Sequence, residues 1–288
     1  MKSNYNQLGQ YIEMVSRTNS DLKYGIEDVR GCSNTKQMMQ TRANLIGRTY
    51  EKFIVLRPQE FVFNRRTTRN GEKIGMAYNN TDREYIFTND YVAFRVKQEY
   101  LDKLLPDYLY LFFCRDEFDR YARYKSTGSA TEFFNWEDMC AVPFEIPPMD
   151  FQQLVVNAYK VLNKRIETKQ KINDNLEATA QSLFQEQFAA FYNENELPDG
   201  YSIATLDSLC SIKGGKRLPA DGELLDTPTA HPYIRVRDLG SNRYVCLTNQ
   251  FQYIDEETHS AISRYIVNTN DIVISIVGTI GLIGKIHT

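Results

Sequence analysis

Nowhere in its 288 residues does the chain approach the ~18 consecutive apolar residues that a membrane-spanning helix needs. Its first ten residues, MKSNYNQLGQ, lack the apolar core of a signal peptide. A cytoplasmic protein with no membrane partner is therefore expected. Metal-ligating residues are sparse. The five cysteines, Cys32, Cys114, Cys140, Cys210 and Cys246, are scattered, and no two stand at metal-motif spacing. An odd, dispersed set in such a chain reads as reduced packing thiols. His231, His259 and His287 are equally isolated. No metal and no cofactor is expected.

Positive charge is not in excess either. The net charge of −3 argues against a generic polyanion binder, although specific binding depends on where the charges lie. Residues 1–149 carry 21 basic and 20 acidic residues, residues 150–200 carry 5 and 8, and residues 201–288 carry 8 and 9. The acidic excess thus sits in the middle. Catalytic motifs are missing as well. GTIGLIGK (278–285) has Thr279 where a phosphate loop needs glycine and Ile286 where it needs Ser or Thr. IPPM (146–149) is no methyltransferase Asn-Pro-Pro-aromatic stretch, and no histidine belongs to a recognisable Ser or Cys nucleophile motif.

What is present is an ordinary globular composition, 42% hydrophobic and 25% charged, long enough for two modest domains and a connector. From Phe151 to Tyr192 there is neither Pro nor Gly, and apolar residues recur at steps of three and four. This predicts one continuous helix over 151–192, with Pro147 and Pro148 before it and Asp150 as its N-cap. A rod this long outreaches any small domain, so its stripe is expected to pair with another helix. Two shorter helices broken near Asn173–Asn175 are the alternative.

The flanks read as mixed α and β. EYIFTND and YVAFRV (84–96) predict strands with Val92, Phe94 and Val96 on one face. YLYLFFCRDEFDRYARY (108–124) predicts a helix, KSTGSAT (125–131) a loop, NWEDM (135–139) a capped helical turn, and AVPFEIPP (141–148) a short strand. Beyond the rod, PYIRVRDL (232–239) alternates like a strand, and DIVISIVGTIGLIGKI (271–286) predicts a hairpin turning at Gly278–Gly281. FIVLRPQEFVFNR (53–65) and YIVNTNDIVISI (265–276) share a strand, a polar turn ending in an acid (Glu60, Asp271) and a second apolar strand, about 211 residues apart. KIGMA (73–77) and IGKIH (283–287) continue the two copies. Two related domains are expected.

LDSLCSIKGGKRLP, PYIRVRDL and NDIVISIVGTIGLIGKI, in that order, resemble the opening of a recognition domain of type I restriction-modification specificity subunits. LGQYIEMVSRTNSDLKYGIEDVRGCSNTK (8–36) with EFVFNRRTTRNGEKIGMA (60–77) is similar to a second variety of that domain. The closing run YLYLFFCRDEF, GSAT, a helical turn and FEIPPMDFQQ leading into a long helix also fits. The resemblance implies an α/β (α+β) protein of two target-recognition domains with mixed β-sheets, joined by a long coiled-coil-forming helix. The expected boundaries are 1–149, 150–194 and 195–288, with the second domain incomplete and the second long helix absent. It implies a non-catalytic subunit that reads one half of a bipartite double-stranded DNA target per domain. Methyltransferase subunits, and restriction subunits through them, are the implied protein partners. A helix left uncovered suggests a homodimer through that helix as a further arrangement. A nuclease with unrecognised carboxylates and a protein-only helical scaffold stay open as alternatives.

The candidate contacts follow from charge and loop chemistry. Arg65, Arg66, Arg69 and Lys73 surround one acid, Glu72, in a turn suited to a DNA groove, since arginine forks fit phosphate and the guanine edge. Lys125, Ser126 and Ser129 lie on a glycine-containing loop that suits a phosphate. In the second domain, Lys213, Lys216 and Arg217 flank Gly214–Gly215, and Arg235 and Arg237 are expected on one strand face. Solvated surface is the plain alternative for all of them. Most aromatics read as core; Tyr78 and Tyr85 are the two considered for DNA contact. Leu154, Ala158, Leu162, Ile172, Leu176 and Leu183 are the expected helix interface. Ile272, Ile274, Ile276 and Ile280 are expected to lack cover.

Overall fold

The structure, a computed structural model, describes residues 6–41, 45, 47–67, 73–128, 131–189, 197, 199–239, 244–246 and 251–287. They divide into two compact units, Met1–Gln185 and Glu186–Thr288.

The first unit runs β1 (Ile12–Val15), β2 (Arg30–Cys32), β3 (Met38–Gln40), β4 (Ile54–Leu56), β5 (Phe61–Asn64), β6 (Met76–Tyr78), β7 (Tyr85–Phe87), β8 (Tyr91–Val96), α1 (Pro106–Phe113), α2 (Asp116–Lys125), α3 (Trp136–Cys140) and α4 (Met149–Gln187). Its centre is a sheet in the order β1-β8-β5-β6, antiparallel throughout. β2 pairs with β3 and β4 with β7, and a parallel bridge joins Val29 to Ile86. β5 is apolar at consecutive positions because both its faces are covered. Phe61 and Phe63 meet Phe94, Phe113 and Phe134 on one side, while Val62 packs with Val15, Ala77, Ala93 and Phe87 on the other. β8 behaves as its pattern predicts: Val92, Phe94 and Val96 share the first of those cores.

The predicted helix over 108–124 is two helices. Arg115 adopts an extended backbone (φ −78°, ψ 145°) between α1 and α2. The break lets Phe118 settle against Phe113 at 4.8 Å, and it starts α2 with Asp116, Glu117 and Asp119, which favour a helix N-terminus. α3 is the capped turn expected from NWEDM, with the Asn135 amide donating to Asp138 Oδ2 at 3.2 Å. The segment 141–148 is not a strand. It makes one bridge, Gln7 to Pro143, flanked by Leu8 N–H to Val142 O and Phe144 N–H to Asn6 O. Pro143, Pro147 and Pro148 have no N–H with which to extend a ladder.

α4 is one unbroken helix of 39 residues, rising roughly 58 Å. It starts at Met149, so Asp150 lies in the first turn and is not the N-cap; the Pro148 carbonyl accepts the Gln152 amide. It ends at Gln187, short of Tyr192, and Phe191 lies outside the described residues. Its first turns dock against the rest of the unit. Gln152 is fully buried: its Oε1 accepts Leu105 N–H at 2.9 Å, and its Nε2 donates to Lys103 O at 2.7 Å and Pro147 O at 2.8 Å. Val156 is buried, Tyr159 meets Tyr110 edge-on, and Lys160 pairs with Asp107. From Val161 to Gln187 every residue except the half-buried Asn163 is exposed.

The second unit contains α5 (Leu206–Leu209), β9 (His231–Tyr233), β10 (Tyr244–Cys246), β11 (Gln252–Ile254), α6 (Glu256–Ala261), β12 (Ile272–Ile274) and β13 (Ile283–His287). β13 pairs parallel with β10 and antiparallel with β12, a mixed sheet, and β9 pairs with β11. The predicted strand 232–239 stops at Tyr233. Beyond it Asp238 Oδ2 accepts the Arg235 amide at 2.8 Å and closes a 3-10 turn over Val236–Asp238. Ile272, Ile274, Ile276 and Ile280 are exposed, as expected.

The repeat extends to individual hydrogen bonds. In the first unit Arg57 N–H donates to Glu60 Oε2, Glu60 N–H to Arg57 O, Gln59 N–H to Asn79 O, and Asn79 N–H to Glu60 O. In the second, Asn268 N–H donates to Asp271 Oδ2, Asp271 N–H to Asn268 O, Asn270 N–H to Ile286 O, and Ile286 N–H to Asp271 O. Gln59 and Asn270 both take positive φ, 62° and 74°. The 3-10 turn closed by Asp238 has its counterpart in Ile26–Asp28, where Asp28 Oδ2 accepts the Gly25 amide. Met76 and Ala77 therefore correspond to Ile283 and Gly284, not to the residues that pairing KIGMA with IGKIH selects. The reason is the hairpin tip: ten residues separate Asn64 from Gly75, but six separate Ser275 from Leu282.

Three outcomes follow. Gln152→Ala strands an amide and two carbonyls, so it should lower the stability of the first unit by about 2–3 kcal/mol in urea unfolding. Glu60→Ala should cost about 2–3 kcal/mol, below the ~3–5 of a fully buried pair, because Arg17 keeps a quarter of its side chain in water. Asp271→Ala, whose turn has no ion pair among the described residues, should cost about 1 kcal/mol, seen as faster amide exchange at 268–271.

Candidate nucleic-acid interface

Asn64 closes the β5–β6 ladder by donating to Gly75 O at 2.8 Å. Its Oδ1 then accepts the Arg66 amide at 3.0 Å, and Arg65 and Arg66 both stand exposed. The hairpin is stitched to residues 132–134. Phe134 N–H donates to Arg65 O at 2.9 Å, and Thr67 donates to Glu132 O through its amide at 3.0 Å and its hydroxyl at 3.2 Å. Phe133 in turn exchanges both backbone bonds with Thr127, at 2.9 and 3.2 Å. The hairpin and the 125–131 loop, some sixty residues apart in the chain, thus share one edge. Gly128 makes the loop turn possible: it has φ +146°, and a Cβ there would fall 2.0 Å from Thr131 O.

Arg66 pairs with Asp90 at 3.3 Å, Lys73 with Asp116 at 4.0 Å, and Arg123 with Glu132. Such exposed pairs are worth ~1 kcal/mol or less, so a phosphate competes readily for these cations. Arg65 and Lys125 have no ion pair among the described residues. Ser126 donates its hydroxyl to Ala122 O at 2.8 Å and so caps the end of α2. Arg69 and Ser129 lie outside the described residues. Two residues of this edge were not legible as contacts. Arg123 belongs to the last turn of α2, and Tyr124 is 82% exposed beside Lys125, whose Nζ stands 5.9 Å from its ring. Helical phase carries the signal for Tyr124, which stands roughly 200° around α2 from the buried Ala122.

Tyr78 and Tyr85 are not exposed. Tyr78 stacks on Phe61 and donates to Asp107 Oδ1 at 2.9 Å; burial first, then the Asp107 charge, pushes its hydroxyl pKa up. Tyr85 is buried beneath the Arg30 guanidinium. In the second unit Lys213, Lys216 and Arg217 are exposed along an extended segment, with open space around Gly214 and Gly215. Arg235 and Arg237 do not share a strand face. Arg235 turns inward to Gln252 and Asp238, while Arg237 stays exposed with its Nε 3.7 Å from Asp238. Burial raises the thiol pKa of Cys32 to about 12, which keeps it protonated and a poor nucleophile. Among the described residues no group of three or more His, Cys, Asp or Glu is arranged to hold a metal, and no helix is long and apolar enough to cross a membrane.

The family model for the type I restriction modification DNA specificity domain matches residues 30–178, more than half of the chain. A similar curated protein is the type I restriction enzyme MjaIX specificity subunit of Methanocaldococcus jannaschii, 25% identical over 150 residues. That match covers 48% of this chain and 34% of the relative, so the chain spans about a third of the length of the relative it matches. Solved structures with a similar trace include the HsdS subunit from Thermoanaerobacter tengcongensis, at 16% identity and TM-score 0.40, covering 98% of this chain and 71% of that one. The S subunit of the type I restriction-modification system from M. genitalium is 15% identical at TM-score 0.44, covering 99% and 70%. The matched span takes in the β5–β6 hairpin, the 125–131 loop and most of α4, and the chain belongs to the type I restriction-modification DNA specificity family.

Proposed function

We propose that the chain is a sequence-reading, non-catalytic component of a type I restriction-modification complex. Each unit reads one half of a bipartite double-stranded DNA target in the cytoplasm. The observation that carries this reading is the shared edge of the first unit, where Arg65 and Arg66 on the hairpin stand with Arg123, Lys125 and Ser126 beside the loop; Lys73, which reaches Asp116 at the start of α2, is a further proposed contact. A rigid β-hairpin supplies the guanidinium forks that read guanine in a major groove, and the adjoining loop supplies cations and amides for the backbone phosphates. Lys213, Lys216, Arg217 and Arg237 are the contacts proposed for the second unit, and Arg69 and Ser129 complete those of the first. Arg235, turned inward, acts by holding the 3-10 turn.

The long helix supplies the protein interface. Leu154, Ala158, Leu162, Ile172, Leu176 and Leu183 are all exposed on it. Burying such a stripe yields about 25 cal/mol per Å² of apolar surface. Methyltransferase subunits are the proposed partners, with restriction subunits joining through them. A second copy packed antiparallel on the same stripe is the proposed state of the isolated chain.

Within a complex containing the methyltransferase subunits, Arg65→Ala, Arg66→Ala and Arg69→Ala together should abolish target preference. A single arginine that reads guanine should cost ~1–3 kcal/mol at one base pair. One that holds only phosphate should weaken all sequences evenly and flatten the salt slope. Normal target binding by the triple variant would refute the reading. Leu176→Asp with Leu183→Asp should abolish co-purification with methyltransferase subunits and turn any dimer of the isolated chain monomeric in light scattering, while the first unit stays folded.

A further inference from the structure

Past the Asn64–Gly75 bond the β5–β6 ladder ends, and Ile74 has no strand opposite it. It is nonetheless buried, so its amide and carbonyl need partners. Both come from one ion pair. Lys36 Nζ donates to Ile74 O at 2.9 Å, and Asp119 Oδ1 accepts Ile74 N–H at 3.0 Å and pairs with the same ammonium. The two side chains are 4% and 7% exposed. They come from different elements. Lys36 lies in the turn between β2 and β3, at φ 62°, with its amide donating to Ser33 O; that carbonyl also accepts Met76 N–H. Asp119 lies in α2, one turn after the Asp116 that reaches Lys73 and one to two turns before Tyr124 and Lys125.

A buried ion pair is a poor device for stability alone, since apolar residues of similar volume are often as good or better. What this pair does is geometric. It holds both backbone polar groups of the residue at which the returning arm of the hairpin leaves its basic tip, and it ties that arm to the helix ending in the 125–131 loop. We propose that Lys36 and Asp119 are positioning residues that fix the hairpin tip against α2, and that they set discrimination between DNA sequences and not overall affinity. This rests on the DNA-reading function proposed above. Without the clamp the tip cations still reach phosphates, but a guanidinium displaced by about an ångström loses its bidentate fit to a base.

The test uses the complete complex with methyltransferase subunits and a duplex selected by the wild-type complex from a random-sequence library. Lys36→Met, Asp119→Asn and the paired Lys36→Met with Asp119→Leu are compared with wild type. Affinities are measured for the selected duplex, for copies carrying single base-pair changes, and for a duplex of unrelated sequence. The expected result is a fall of at least tenfold in the ratio of selected to changed duplex, with affinity for the unrelated duplex altered less than twofold. The paired variant removes both charges but leaves the Ile74 amide and carbonyl without partners, so its unfolding midpoint should fall; compared at a temperature where circular dichroism shows it fully folded, it should still discriminate poorly. Unchanged discrimination in the paired variant would overturn the proposal. Parallel loss of both affinities, or unfolding of all three variants, would assign the pair a purely structural role and overturn it equally. If the triple arginine variant abolishes binding while the clamp variants discriminate normally, the clamp idea fails and the DNA reading survives; if the arginine variant binds normally, the DNA reading itself fails.

Discussion

The first unit depends on keeping the β5–β6 hairpin in one register, and Glu60 fixes that register at the root. Its carboxylate takes both arms of Arg17, at 3.0 and 3.1 Å, and the Arg57 amide, at 2.8 Å. In a strand buried on both faces, a slip of one residue would exchange Phe61 and Phe63 with Val62 between two differently shaped cores. The acid-closed turn prevents this by fixing where the strand begins. Everything distal inherits the choice: the Asn64 bond that ends the ladder, the outward turn at Arg65 and Arg66, and the burial of Ile74 on the return.

The long helix follows an opposite logic. It is fixed at its start by satisfied polar groups and exposed along most of the rest. Gln152 alone occupies three backbone groups from two loops, and such a side chain orients a helix more sharply than an apolar contact of the same size, because each bond has a direction. Past Lys160, as far as Gln187, the side chains are exposed, apart from the half-buried Asn163, yet the apolar spacing continues through Leu183. A 39-residue helix draws little stability from propensity alone. A stripe carried this far beyond its own domain is what the proposed helix interface rests on.

Which parts were legible follows from where the information resides. The helix could be read because its signal is periodic and local, although Phe188 and Phe191 carried the pattern beyond its end at Gln187. The strands β5 and β8 of the central sheet and the hairpin at Gly278–Gly281 were equally local, while β1 was not read as a strand. The break at Arg115 was not, since no Pro or Gly marks it; it exists because Phe118 and Asp119 must reach partners far away in the chain, Phe134 and Lys36. The acid run Asp116, Glu117, Asp119 was the available hint. PYIRVRDL alternates well enough for a strand, but the Arg235–Asp238 spacing allows a capped turn, and the cap won. Of the candidate site, residue types could be read and their company could not. That Arg65 and Lys125 belong to one edge depends on Phe133 pairing with Thr127 while Phe134 and Glu132 bond the hairpin.

The internal repeat separates what the fold requires from what it leaves open. Both units keep the acid-closed turn, the positive-φ residue two places into it, the reciprocal bonds to the returning strand, and the 3-10 turn closed by Asp28 or Asp238. These are backbone demands, and the residues that meet them recur. The tips differ in both length and chemistry. Where the first unit follows its ladder with Arg65 and Arg66, the second follows Ser275 with Ile276 and Val277 on a shorter turn. A hairpin whose root is held by hydrogen bonds tolerates new residues at its tip, because the tip contributes little to folding. The constraint that holds the root of the hairpin is thus also what frees the tip to vary.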